Sequence, residues 1–212
     1  MIRTTIVAAF LAVGAAAQAA EIKVISANGM REVIAETKGR FEASSGHQLN
    51  VTVVETGAIR KRVLGGEAFD VIMVPRDVSE AFAKANRVAA GSAMPLIRVN
   101  FGLAVRADAP RPDTSTPDAL RKTRLVPNRG SGHHAERVVK GEADLAVQAE
   151  HEIKCVKGAA FLDYPKDLQR SIVFMGSVGA DTTDAAAAKA YLTFVTGPEV
   201  APVIKAKCLS PG

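Results

Sequence analysis

Three times between Ile22 and Ala85 the chain steps from a short apolar, β-branched run to a stretch whose apolar residues recur at helical spacing. The runs are Ile22–Ile25, Leu49–Val54 and Phe69–Val74. The helical stretches are Met30–Phe41, carried by Met30, Val33, Ile34 and Phe41, then Ala58–Leu64 and Val78–Ala85. Ser44-Ser45-Gly46, Glu55-Thr56-Gly57 and Gly65-Gly66 separate them with turn-forming residues. Parallel strands need a crossover, usually a helix, so this alternation predicts an α/β fold with mostly parallel sheets and flanking helices.

The rhythm continues less regularly. Leu96–Val105 reads as a longer strand, followed by a Pro-rich linker over Ala109–Pro117. Short helices are expected at Asp118–Lys122 and His133–Lys140, and strands at Arg124–Val126, Asp144–Val147 and Ile172–Met175. Asp184–Val195 and Glu199–Ala206 are closing helices, the second opened by Pro198.

The first nineteen residues are expected to be a secretion signal. Met1-Ile2-Arg3 is a positive start, Ile6 to Ala17 is apolar and uncharged, and Ala17-Gln18-Ala19 fits a small-residue cleavage site. The apolar run is shorter than the ~20 residues a membrane span needs. The mature chain then begins at Ala20 and works in the periplasm, with a net charge of +4, one less than the +5 of the full chain. A mildly basic surface helps an anionic solute approach. Aromatic content of 5% without Trp gives little to stack on single-stranded nucleic acid, and no nucleic-acid partner is expected. Cys155 and Cys208 form a candidate disulfide pair in an oxidising compartment; in the chain-entropy model such a bridge stabilises by about 4 kcal/mol. Two separate thiols are the alternative.

Ser26-Ala27-Asn28-Gly29 joins a strand to a helix. It offers hydroxyl, amide and backbone N–H donors where a helix start is electropositive, which suits an anion, or it is ordinary N-capping by Asn28. Asn128-Arg129-Gly130-Ser131-Gly132-His133 also precedes a helix. Arg129, Ser131 and Gly132 supply a cation, a hydroxyl and open backbone suited to a carboxylate or tetrahedral oxyanion, or the segment is a plain turn. Its glycine spacing fits neither a P-loop nor a nucleophile elbow. His133 and His134 point to different sides of a helix, and His151 reads as a solvent-facing residue, so no metal is expected. No carboxylate pair and no nucleophile with a base stands out, and neither an enzyme activity nor a cofactor is expected.

Glu21–Met30, Val51–Ile59, Asp70–Val74, Leu96–Val105, Gly141-Glu142-Ala143-Asp144 and the tail Phe194–Ala201 together resemble the periplasmic molybdate-binding proteins of ABC importers, in their order along most of the mature chain. The resemblance implies a two-lobed solute-binding fold of type II. Lobe 1 would comprise 20–101 and 176–212, lobe 2 would comprise 102–175, and Leu96–Val105 would cross between them. It implies a molybdate- or tungstate-like oxyanion in the cleft and an ABC permease as partner. The family's first-loop serine falls at Gly29, and its second at Thr56, beside Gly57. Its lobe 2 tyrosine falls near Ala149. One βα unit common in relatives is missing between Lys122 and Leu125, so lobe 2 is reduced, and an exposed sheet edge there would favour a homo-dimer. The other readings are a binder or sensor of an organic carboxylate, favoured by Arg129 and the histidines, and a relative that has lost binding.

Overall fold

The computed structural model describes residues 19–121 and 134–212. The predicted alternation is present. Strands β1 (Glu21–Ala27), β2 (Gln48–Val54) and β3 (Val71–Pro75) are joined through helices α1 (Arg31–Ser45) and α2 (Thr56–Leu64), and α3 (Arg76–Lys84) follows β3. β1 lies between β2 and β3, parallel to both. The crossover from β1 to β2 and the one from β2 past β1 to β3 run in opposite directions across the sheet, so right-handed connections place α1 and α2 on its opposite faces. Burial on both faces explains why β3 reads as the unbroken apolar run Val71, Ile72, Met73, Val74. Gly46 ends α1 in the left-handed conformation at φ 76°, where glycine carries no steric penalty.

The expected crossover is β4 (Met94–Arg106). Met94–Asn100 pairs antiparallel with β7 (Ser171–Val178), which in turn pairs antiparallel with β3. From Phe101 onward β4 pairs instead with β5 (Ala146–Ala149) and β6 (Ala159–Asp163). One strand thus belongs to two half-sheets, which define the two lobes. Parallel pairing holds around β1, while the strands that leave lobe 1 and return to it run antiparallel. The strand expected at Ile172–Met175 runs from Ser171 to Val178, and the whole of it pairs with β3 and the first half of β4.

Lobe 2 carries α4 (Pro117–Arg121), α5 (His134–Val139) and α6 (Glu150–Lys154). Residues Arg124–Val126, expected as a strand, lie outside the described residues, as do 1–18 of the expected signal. Alternate residues of β4 feed two small cores. Ala104 packs with Ala135, Val138, Ala143 and Ile153, while Leu103 and Val105 pack with Leu145. Lobe 1 is closed by α7 (Ala185–Thr196), capped by Asp184, and α8 (Ala201–Ala206), both packed beside α1. A last short strand, β8 (Ser210–Pro211), pairs with β4 at Ile97 and Arg98. The main core joins Val24, Ile25, Ile59, Ile72, Phe82, Tyr191 and Leu192. Among the described residues no helix is long and apolar enough to cross a membrane.

Candidate functional site

Parallel pairing sets Ala27 against Val54, so the loops after β1 and β2 leave the same edge of the sheet. After β1 the chain makes a 3₁₀ turn over Asn28–Met30 before α1, and after β2 it passes through Glu55 into α2. The two loops are tied together. Asn28 Nδ2 donates to Glu55 Oε1 at 2.5 Å, and Arg31 Nη2 donates to Asn28 Oδ1 at 2.7 Å. The Glu55 carboxylate stands just ahead of the first turn of α2, where the helix dipole favours negative charge.

A cavity of about 490 Å³ opens here between the lobes. Asn28, Gly29, Arg31 and Glu32 form its lobe 1 wall, His151, Glu152 and Cys155 its lobe 2 wall, and Lys207 and Leu209 close it from the segment after α8. Four nitrogen-bearing side chains, Asn28, Arg31, Lys207 and His151, therefore line one space, together with the carboxylates of Glu32 and Glu152. Lys207 is steered by Glu36 at 3.5 Å and Glu32 at 4.0 Å. The lobe 2 wall is anchored at the crossover itself, since Asn100 Nδ2 of β4 donates to Glu150 Oε2 at 3.0 Å and Lys154 bonds the other carboxylate oxygen. Burial pushes the Glu150 pKa up, but the hydrogen bonds from Lys154 and Asn100 outweigh it and hold the carboxyl below its usual range. That ionised Glu150 fixes the helix presenting His151, Glu152 and Cys155.

The site residues expected from the sequence divide into groups. Asn28 and Gly29 line the cavity. Ser26 is fully buried in β1, its hydroxyl donates to the carbonyl of Ala27 at 3.1 Å, and it does not line the cavity. Thr56 and Gly57 open α2 beside the cavity without lining it, and a Cβ on Gly57 would meet nothing within 4 Å. Arg129, Ser131, Gly132 and His133 lie outside the described residues. Gly29 has a steric reason of its own. A Cβ built there would stand 2.3 Å from Cζ of Phe174, so the ring from β7 fills the space a serine side chain would occupy. Ala149 is buried and directly precedes α6.

One sequence expectation is corrected. His151, expected to face solvent, is half-buried and lines the lobe 2 wall of the cavity. The five-residue α6 was not expected, so the position of its side chains could not be read. Arg31, Glu32, Glu152, Lys207 and Leu209 were likewise missed; the only available sign was that Arg31 and Glu32 follow the anion-suited loop. Among the described residues no three His, Cys, Asp or Glu side chains are grouped to hold a metal ion. The thiols of Cys155 and Cys208 lie side by side, with Sγ atoms 3.9 Å apart.

The chain matches the family model of bacterial extracellular solute-binding proteins over residues 22–134 and 122–207. The two matched pieces meet at 122–134, where the βα unit common in relatives was expected to be missing. The structure resembles the substrate-binding domain assigned to a molybdenum ABC transporter from Clostridium difficile, with a TM-score of 0.77 at 12% identity, covering 92% of this chain and 100% of that one. It also resembles the periplasmic molybdate-binding protein of Azotobacter vinelandii, with a TM-score of 0.66 at 14% identity over 90% of this chain and 99% of that one. These likenesses establish the two-lobed, type II solute-binding fold. In sequence, the chain is 23% identical to an aconitate isomerase from a Pseudomonas species, covering 90% of this chain and 87% of the relative. That alignment spans 229 residues, more than the 212 here, so the relative carries residues this chain lacks. With the family model covering most of its length in lobes of this architecture, the chain belongs to the bacterial extracellular solute-binding proteins.

Proposed function

We propose that this protein is the periplasmic solute-binding component of an ABC importer, that it captures a small anion in the interlobe cleft, and that it delivers the anion to a membrane permease. The observation carrying this reading is the convergence of Arg31, Lys207 and His151 on one cavity at the start of α1. The cations Arg31 and Lys207 and a helix start together favour negative charge, and His151 adds ring nitrogens. Binding would draw the lobes together about β4 and β7, shifting the population toward a closed form that the permease engages.

Two ligand chemistries fit that class, a molybdate- or tungstate-like oxyanion and an organic carboxylate. Three features favour the carboxylate. The hydroxyl position at Gly29 is taken by the Phe174 ring, and the Ser26 hydroxyl is buried on the Ala27 carbonyl, so neutral hydroxyl donors are scarce on the lobe 1 wall. Charged side chains replace them, and guanidinium pairs well with carboxylate. A cavity of about 490 Å³ suits a small organic molecule. The aconitate isomerase among the relatives supports a tricarboxylate. It also supports a second reading, in which the cleft isomerises such a molecule, with Arg31 and Lys207 holding carboxylates beside His151.

The test is calorimetry of the mature protein with trans-aconitate, citrate, molybdate, tungstate and sulfate, with NMR of the trans-aconitate sample. Binding of a tricarboxylate at micromolar concentration, weakened about tenfold or more by Arg31→Ala, supports the carboxylate reading. Tight molybdate binding with no carboxylate binding restores the oxyanion. Conversion of trans-aconitate to its cis isomer makes the protein an enzyme.

A further inference from the structure

Cys155 and Cys208 are 53 residues apart in sequence and belong to different lobes. Cys155 caps the C-terminus of α6, on the lobe 2 wall of the cleft. Cys208 follows α8, which packs on α1 in lobe 1. The Cys155 thiol donates toward Cys208 Sγ at 3.9 Å; Cys155 lines the cavity, and so do Lys207 and Leu209 on either side of Cys208 in the chain.

Both cysteines sit on segments that are anchored by hydrogen bonds. Glu150 ties α6 to Asn100 on the crossover strand. On the other side, Cys208 N–H donates to the Lys205 carbonyl at 2.9 Å and Leu209 N–H to the Ile204 carbonyl at 3.0 Å, which closes α8 with a left-handed cap. Leu209 is buried, and β8 pins the tail to β4. The left-handed residue of that motif, just after the C-cap Lys207, is Cys208 at φ 55°. That position favours glycine, and a residue with a Cβ is strained there. A strained backbone that presents a thiol to a second thiol on the opposite lobe points to a role for the pair.

We infer that Cys155 and Cys208 form a redox latch, whose disulfide clamps the two lobes across the cleft and whose reduction lets them part. The inference rests on the lobe-closure reading above. The oxidant is a disulfide, such as oxidised glutathione or a dithiol oxidase of the compartment. One cysteine thiolate attacks it, forming a mixed disulfide and releasing one thiol. The second cysteine thiolate then displaces the other half, forming the Cys155–Cys208 bond. Two protons and two electrons leave the protein, and both end on the two thiols released. Sγ atoms already 3.9 Å apart need only a small rotation to reach bonding distance.

The test compares the mature full-length chain after oxidised glutathione and after dithiothreitol. Peptide mapping reads the bridge, hydrogen exchange reads residues 150–155, and calorimetry with trans-aconitate reads the cleft. The expected result is an intramolecular Cys155–Cys208 bridge, exchange in α6 slowed about tenfold, and full reversal by dithiothreitol. Cys208→Gly, which relieves the strained φ and keeps the cap, should show no redox response in α6. Failure of the bridge to form in the folded chain, or a bridge that leaves α6 exchange unchanged, overturns the latch. Redox-dependent exchange without any trans-aconitate binding keeps the latch and counts only against the carboxylate ligand.

Discussion

Gly29 shows how one residue sets the chemistry of a cleft wall. Its missing Cβ admits the Phe174 ring, which sits where a side chain would be only 2.3 Å away. Gly29→Ser should therefore destabilise the protein by about 1–3 kcal/mol, as over-packing does. Phe174→Ala removes the obstruction, so in the double variant the two losses should be clearly less than additive in denaturant unfolding. Strict additivity would mean that the ring does not hold that space. Glu150 gives a second prediction at this scale. Its folded pKa lies below the ordinary value, so it contributes stability that is fully present above about pH 4.3 and is lost as the pH falls through the lower folded value. The stability gap between wild type and Glu150→Gln should be constant near neutral pH and close on acidification. A gap that widens toward acid would contradict the sign.

At the scale of elements, long and regular segments were legible and short ones were not. β1 to α3 announce themselves by β-branched runs and apolar spacing, and their observed bounds differ from the expected ones by one to a few residues, with Phe69 and Asp70, for example, lying ahead of β3 rather than within it. α6 has one turn and the sequence Glu-His-Glu-Ile-Lys, too short for any period to show. β6 is Ala-Ala-Phe-Leu-Asp, half-buried along most of its length, so it carries no alternation of apolar and polar residues. One wall of the site was therefore legible at Asn28 and Gly29, while the wall made by His151, Glu152 and Cys155 depends on how β4 brings a short helix back to the crossover. Lys207 and Leu209 were hidden for the same reason: only the tertiary path of the tail takes them to the cleft. Ser26 shows the converse, since a hydroxyl at an anion-suited loop proved to serve its own backbone.

At the scale of the molecule the two lobes are unequal. Lobe 1 buries both faces of its sheet between helices, whereas the described part of lobe 2 rests on two small cores, around Ala104 and around Leu103. Local opening should follow that difference, with amides of β5 and β6 exchanging about tenfold or more faster than those of β1 and β3. Equal protection in both lobes would show that they open as one unit. The inequality suits a binding protein, because the lobe with less buried apolar surface is the one that a ligand or a latch can order. The central claim is that Arg31 and Lys207 make the cleft an anion site, and calorimetry of the mature protein against the carboxylate and oxyanion panel tests it most directly. The account predicts that at least one anion binds at micromolar concentration and that Arg31→Ala and Lys207→Ala each weaken it about tenfold or more; a folded protein that binds none of them, or binds one with both variants unaffected, would contradict it.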